Sequence, residues 1–360
     1  NFDVRTAWNR LEASRAVLER ASADLYPELT GSASGDVSRT DSSQSFTSQD
    51  EEIRLGLSAD YEVDLWGRID STVEAERFRT QATRQDYQTA AISLTAEVSR
   101  VWFQLLRQHQ QHQLLERQVE TNQDVLDLLK KQFGAGQVRQ ADLLRQEQLL
   151  ESTREQKIDV ESSIQVLEHQ LAVLLGRPPQ EELDYQVDEL PELPPLPRTG
   201  LPVELIRRRP DVRSAFNQLQ AADREVAAAI SNQYPRLRFT ASLSTFDDNS
   251  TTLFEDWARS FAGDLTGPLL DANRRDAEVG RTEAVRKQRL YEYGQAILMA
   301  FQDVEDALVR EKKQQEQITN LKGQLDLAER TVKRLRAQYL RGQGNYIDVL
   351  NALNEEQQLR

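Results

Sequence analysis

The sequence has no cysteine. Disulfides, thiolate zinc sites, iron–sulfur clusters and cysteine nucleophiles are therefore excluded. Three histidines and one methionine leave little for imidazole or thioether ligation. No metal site and no cofactor are expected. Positive charge is in deficit: 45 Lys and Arg stand against 59 Asp and Glu, a net charge of −14. That balance argues against nucleic acid as a partner. No apolar run reaches the roughly 18 residues of a membrane helix, and mean hydropathy is −0.66. These last two facts do not exclude a membrane β-barrel, whose strands alternate and never show such a run.

Helix breakers are missing from long stretches. Residues 68–133 contain neither proline nor glycine, and 269–341 contain no proline and three glycines. At about 1.5 Å per residue, each stretch makes a helix of roughly 100 Å. Periodic patterns of this length suggest coiled coil or a helical tube. The apolar seam is thin: Leu94, Val98, Val101, Leu105, Leu115, Val119, Leu126 and Leu129 recur at helical spacing around the polar run Arg107-Gln-His-Gln-Gln-His-Gln113. His109 and His112 are spaced for a shared metal, but their surroundings read as a solvated helix face. Two glycine signals, Gly134-Ala-Gly136 and Gly342-Gln-Gly344, read as C-caps that reverse the chain.

The chain repeats itself. At an offset of 208, Asp3-Val4-Arg5 matches Asp211-Val212-Arg213, and Tyr26-Pro27 matches Tyr234-Pro235. At an offset of 206, Arg68 matches Arg274, Gly136-Gln137 matches Gly342-Gln343, and Asp142 matches Asp348. Residues 1–176 form the first repeat and 203–360 the second. Each runs helix, strands, very long helix, turn, helix. A Pro-rich linker over 177–202, including Pro191 to Pro197, joins them.

Strands lie between the helices of each repeat. Ile53, Leu55, Leu57, Ala59, Tyr61, Val63 and Leu65 alternate with polar or small residues, a period-two pattern. Leu237, Phe239, Ala241 and Leu243 do the same. Weaker strands are expected at 28–37 and 257–267, with exposed loops at 38–52 and 247–252. Four strands of about 10–12 residues suit a tilted membrane span. A soluble sheet with one wet face fits the alternation equally. Open edges and the need for about eight or more strands to close a barrel favour three copies giving twelve.

Three segments carry a family resemblance. Tyr61-Glu-Val-Asp-Leu-Trp-Gly-Arg68 resembles the strand-to-helix signature of TolC/OprM-type outer-membrane efflux factors. Leu205-Ile-Arg-Arg-Arg-Pro-Asp-Val-Arg213 resembles the segment opening their second repeat, and Tyr339-Leu-Arg-Gly-Gln-Gly-Asn-Tyr-Ile-Asp-Val-Leu350 their periplasmic turn. The resemblance implies a mainly α fold with membrane β. Its tandem-repeat protomers, of long coiled-coil helices plus four strands, assemble as a homotrimer with a twelve-stranded β-barrel and an α-helical periplasmic tunnel. Barrel segments are expected at about 28–65 and 236–268, and tunnel segments at about 1–26, 66–175, 203–234 and 269–360. It further implies an efflux channel, not an enzyme, in the outer membrane of a Gram-negative bacterium. The partners are outer-membrane lipid, a periplasmic adaptor and an inner-membrane pump, usually of the resistance–nodulation–division class. Many relatives with the Asp-Leu-Trp-Gly pattern are lipoproteins, whose lipidated cysteine would precede Asn1. The same fold serves as the exit duct of type I protein secretion. A soluble coiled-coil scaffold is the reading from another class; it leaves the matched strands unexplained.

The resemblance also implies a gate. Asp142 and Asp348 follow the two turns, where acids of the family line a constricted entrance; an acid there also suits the helix dipole. Ile347 and Asn351 flank Asp348, and Asn351 stands where some relatives carry a second Asp. Tyr339 and Arg341 are candidates to tie the tip by hydrogen bonds and ion pairs. Gly134, Gly136, Gln137, Gly342, Gln343 and Gly344 are the candidate adaptor contacts. Trp66 and Trp257 are candidates for the membrane interface, as in aromatic girdles.

Overall fold

The computed structural model describes residues 1–40, 48–181, 183–185, 202–248 and 252–360. The elements follow the repeat. Helix α1 (Phe2–Ala23) leads to strands β1 (Glu28–Thr40) and β2 (Ser48–Val63), then helices α2 (Arg68–Gly134) and α3 (Gln140–Leu175). The second copy has α4 (Pro202–Arg208), α5 (Pro210–Ser231), β3 (Arg236–Asp247), β4 (Ala258–Thr266), α6 (Arg274–Leu340) and α7 (Tyr346–Leu359). Both α2 and α6 contain 67 residues. Among the described residues no helix is long and apolar enough to cross a membrane.

Contacts divide the chain across the repeats. One compact unit is Asn1–Val4, Ala91–Pro202 and Phe301–Arg360; the other is Arg5–Ala90 and Val203–Ala300. The second unit holds the sheet, an antiparallel meander in the order β1-β2-β3-β4. Its centre joins the two repeats: Val63 faces Leu237, Tyr61 faces Phe239 and Ala59 faces Ala241. Successive strand residues point to opposite faces. Glu62, Asp60 and Ser58 therefore share a face with Arg238, Thr240 and Ser242, while the opposite face is apolar. Phe239 and Phe261 stack on that apolar face, 5.7 Å apart. In the same unit Ile206, Val212 and Ala300 form a buried cluster lined by Tyr293 and Ile297.

One loop expectation is corrected. The segment 38–52 is not a loop throughout: β1 continues to Thr40 and β2 starts at Ser48, with those two residues paired, whereas β3 ends at Asp247, where the second loop is expected. The polar sequence hid this, because the extended hairpin carries Glu51 opposite Val37 and Asp50 opposite Ser38. Residues 41–47 and 249–251 lie outside the described residues. So does the proline run 191–197; of the expected linker, Pro202 already opens α4. A break at Arg209 separates α4 from α5, whose first position is Pro210. Proline suits that position and disfavours a helical residue before it.

The other unit is built from helix pairs. Val101 and Leu105 of α2 meet Ile164 and Leu171 of α3 in a buried cluster. Leu183 and Tyr185 pack against it. Helix α3 ends where Gly176 takes a left-handed conformation, φ 79°. The amides of Gly176 and Arg177 then return to the carbonyls of Val173 and Ala172 at 2.9 and 2.8 Å. Only glycine adopts this cap without cost.

Candidate functional site

The two glycine turns have the same geometry. Gly136 has φ 73° and Gly342 φ 74°. The Gly136 and Gln137 amides donate to Phe133 and Gln132 carbonyls, both at 2.9 Å. The Gly342 and Gln343 amides donate to Tyr339 and Gln338 carbonyls at 2.9 and 3.0 Å. This is the Schellman cap. Gly134 and Gly344 have ordinary φ, so the turn itself does not require them. All six turn residues, Gly134, Gly136, Gln137, Gly342, Gln343 and Gly344, are exposed.

The repeat-equivalent acids sit in different surroundings. Asp348 is exposed in the first turn of α7. Ile347 beside it is half-buried, and Asn351 is exposed. Asp142 is 4% exposed. Its Oδ2 accepts from Arg139 Nε at 3.3 Å, and Arg145 lies 3.8 Å from Oδ1, which has no hydrogen-bond partner. The structure therefore does not give the two carboxylates a shared exposed face within the protomer.

Between these acids lies a polar network that sequence reasoning missed. The Tyr346 hydroxyl donates to Gln146 Oε1 at 2.6 Å. Gln146 Nε2 donates to the Asn122 carbonyl at 2.9 Å, and Asn122 Nδ2 to Thr153 Oγ1 at 3.0 Å. Gln357 Nε2 closes on Asn122 Oδ1 at 3.2 Å, and Gln118 Nε2 reaches the Gln357 carbonyl at 3.4 Å. Helix α7 is thus tied to α3 at its start and to α2 at its end. Asn122 and Gln146 are fully buried. Unpaired, each would cost about 1–3 kcal/mol, so the network fixes one register of the three helices. One signal was present: Leu115, Gln118, Asn122, Leu126 and Leu129 continue a three–four spacing, with polar residues substituting in the apolar seam.

Tyr339 stands beside Tyr346, ring centres 5.6 Å apart and edge to face. Its hydroxyl donates to Gln132 Oε1 at 3.2 Å, a hydrogen bond at the tip. Arg341 is exposed and forms no ion pair among the described residues of the protomer. Burial is the main cause that pushes both tyrosines above their ordinary pKa, with the nearby charge of Asp142 adding to it.

The histidines are a correction. They do not lie on a freely solvated helix face. His109 Nε2 is 2.9 Å from the Tyr185 hydroxyl, which donates to Glu168 Oε1 at 2.5 Å. Burial lowers the pKa of His109 and raises that of Tyr185. His112 Nε2 is 3.1 Å from Glu161. For His109 the reason is Tyr185, which returns to the helix pair at a place that sequence spacing could not foresee. Among the described residues there is no group of side chains that could hold a metal.

The tryptophans flank opposite ends of the sheet. Trp66 follows β2, stacks on Tyr234 at 4.8 Å and donates from Nε1 to the Pro235 carbonyl at 2.7 Å. Trp257 precedes β4 and donates to the Phe254 carbonyl at 3.2 Å. Both are nearly half exposed.

Residues 1–177 and 201–360 match the outer membrane efflux protein family. The cation efflux system protein CusC of Escherichia coli (strain K12) is 28% identical over 360 residues, covering 98% of this chain and 77% of CusC. The pyoverdine export outer membrane protein OpmQ of Pseudomonas aeruginosa is 31% identical over 317 residues, covering 85% of this chain and 66% of OpmQ. A crystal structure of CusC superposes with a TM-score of 0.94 at 26% identity, covering 100% of this chain and 84% of that one.

Proposed function

Given that this chain belongs to the outer membrane efflux protein family, we propose that its channel closes at the glycine turns and docks its adaptor there. The chain is an outer-membrane channel of a tripartite efflux system. Three protomers, each giving four strands, form the barrel, and their long helices form the periplasmic tunnel. Members of the family are channels rather than enzymes, and the work of this protein is conduction and gating.

One observation carries the gate: Asp348 is exposed in the first turn of α7, just beyond the Gly342 cap, while the hydrogen bond of Tyr346 to Gln146 holds α7 on α3. Threefold symmetry sets three copies of Asp348, Ile347 and Asn351 around one axis. Converging carboxylates attract cations and repel one another, so the ring filters by charge and its closure depends on what holds α7 in place. Asp142, Tyr339 and Arg341 act at the same tip from behind, Asp142 as a buried anchor for the start of α3. The exposed turns at Gly136 and Gly342 present backbone to the adaptor, with no side chain to keep it away. Trp66 and Trp257 mark the two membrane interfaces of the strand segments within 28–65 and 236–268.

Single-channel recording of the trimer in planar bilayers tests this reading. Asp348→Ala is expected to raise conductance and weaken cation preference, and Asp142→Ala to change closure without changing preference. Equal conductance and selectivity in wild type and Asp348→Ala would remove Asp348 from the gate.

A further inference from the structure

The chain is acidic overall, yet arginines gather where β2 and β3 meet their helices. A cavity of about 290 Å³ opens there between α2, α5 and α6. Its wall carries four guanidinium groups, Arg68, Arg79, Arg236 and Arg281, against two carboxylates, Glu225 and Glu278. Three of the four guanidinium groups are matched. Arg79 pairs with Glu225. Arg281 grips Glu278 with two hydrogen bonds of 2.9 and 2.7 Å. Arg68 does the same to Glu62 at 3.2 and 2.8 Å.

Arg236 is different. Its partner is the neutral Asn232 side-chain oxygen, and among the described residues it forms no ion pair. Its charged neighbours include Arg68, Arg238, Arg275 and the carboxylate Glu62, with Glu225 and Glu278 on the same cavity wall. Glu62 is already shared between Arg68 and, at 3.8 Å, Arg238. Arg236 also borders a second cavity, of about 880 Å³, whose wall sets Arg20, Arg68, Arg236 and Arg238 against Asp24, Glu28, Asp60 and Glu62. A half-buried guanidinium with most of its five donors unused and no carboxylate paired to it lacks the oxyanion its planar fork is shaped to hold.

The strand register says which space it faces. Arg236 and Arg238 share a face with Thr240 and Ser242, while Leu237, Phe239 and Ala241 point the other way. The polar face of such strands is the interior of the barrel. We propose that Arg236 is an oxyanion-binding station at the base of the barrel, and that the channel passes solutes bearing a phosphate or carboxylate group. This rests on the reading of the protein as a trimeric duct. Three stations ring the lumen and raise the local concentration of anionic cargo above what the acidic remainder of the protein would allow.

The probe is inorganic phosphate, applied to the full-length trimer. In detergent at low salt, calorimetry is expected to show phosphate binding that Arg236→Gln weakens at least tenfold. Arg236→Lys keeps the charge but not the fork, and should fall between the two. In planar bilayers under a salt gradient, Arg236→Gln should shift the reversal potential toward cation preference. Equal phosphate binding and equal reversal potentials in wild type and Arg236→Gln would overturn the proposal. Should Arg236→Gln not assemble, the wild-type channel decides alone: phosphate must alter its conductance, and no effect overturns the station. Tighter binding of a short-chain phosphatidylglycerol than of phosphate, with an unchanged reversal potential in Arg236→Gln, would make the source a lipid headgroup and overturn the cargo assignment. A wild-type trimer with no conductance at all would refute the duct reading instead.

Discussion

Replacing Tyr346 by Phe removes one oxygen from the centre of the tip network. The hydroxyl donates to Gln146 at 2.6 Å, and Gln146 is 0% exposed, so no water replaces it. The loss of the bond together with a stranded buried acceptor costs about 1–3 kcal/mol. The cost falls on the state in which α7 lies against α3, because an opened tip hydrates both groups. The population of the open state should therefore rise by about 5- to 150-fold. Tyr339→Phe is the internal control: its bond to Gln132 is 3.2 Å long and the ring is half-buried, so an effect of about 0.5–1 kcal/mol is expected. Open probability in planar bilayers measures both. The network also sets a pH window. Burial, then the charges of Tyr339 and Asp142, raises the pKa of Tyr346 above its ordinary value near 10. The protonated phenol is the native form, so its contribution is complete below pH 10 and is lost as pH rises through the shifted value. Wild-type conductance should stay flat between pH 6 and 9 and climb only in stronger alkali, whereas Tyr346→Phe should show its raised open probability across the whole range. An open probability for Tyr346→Phe within twofold of wild type would refute the argument that this bond holds α7.

Three further outcomes follow from the same geometry. An alanine at Gly136 or Gly342 meets nothing within 4 Å of its added carbon, so its cost is backbone strain alone, about 1–2 kcal/mol at positive φ; thermal unfolding of the trimer should show it for each, and Gly134→Ala should show none. Trp66→Phe gives up the hydrogen bond to Pro235 and part of the stack on Tyr234, and a loss of about 1–2 kcal/mol is expected in the same assay. Because burial lowers the pKa of His109, its neutral form belongs to the native state: the packing of Tyr185 should be complete above about pH 6.5 and weaken as pH falls below it, read as faster amide exchange at residues 183–185.

How far the sequence could be read depended on the kind of signal. Alternation from Ile53 to Leu65 is local and periodic, so β2 was legible. Strand β1 was fainter because Gly31, Ser32, Ala33, Ser34 and Gly35 are small, and its outer end was invisible because the sequence there, Ser38-Arg-Thr40 and Ser48-Gln-Asp-Glu51, is polar. The glycine turns were legible since a left-handed cap all but demands glycine. The burial of Asp142 was not, because it depends on which side of α3 meets α2, and the matching position in the other repeat, Asp348, is exposed. Asn122, Gln146 and Thr153 escaped notice for a related reason. In a chain rich in surface glutamine, a polar residue in the seam looks like any other until its partners are placed.

The meander leaves β1 and β4 each with one unpaired side, and this has a genetic meaning. Each barrel has three seams, and each seam takes one strand from each of two neighbours, so one protomer with a damaged β1 or β4 spoils a ring that contains two sound ones. In a cell making sound and damaged copies equally, roughly one trimer in eight would be wholly sound. Strand-edge lesions should therefore behave as dominant negatives, while lesions confined to one protomer's own helix packing should behave as simple losses.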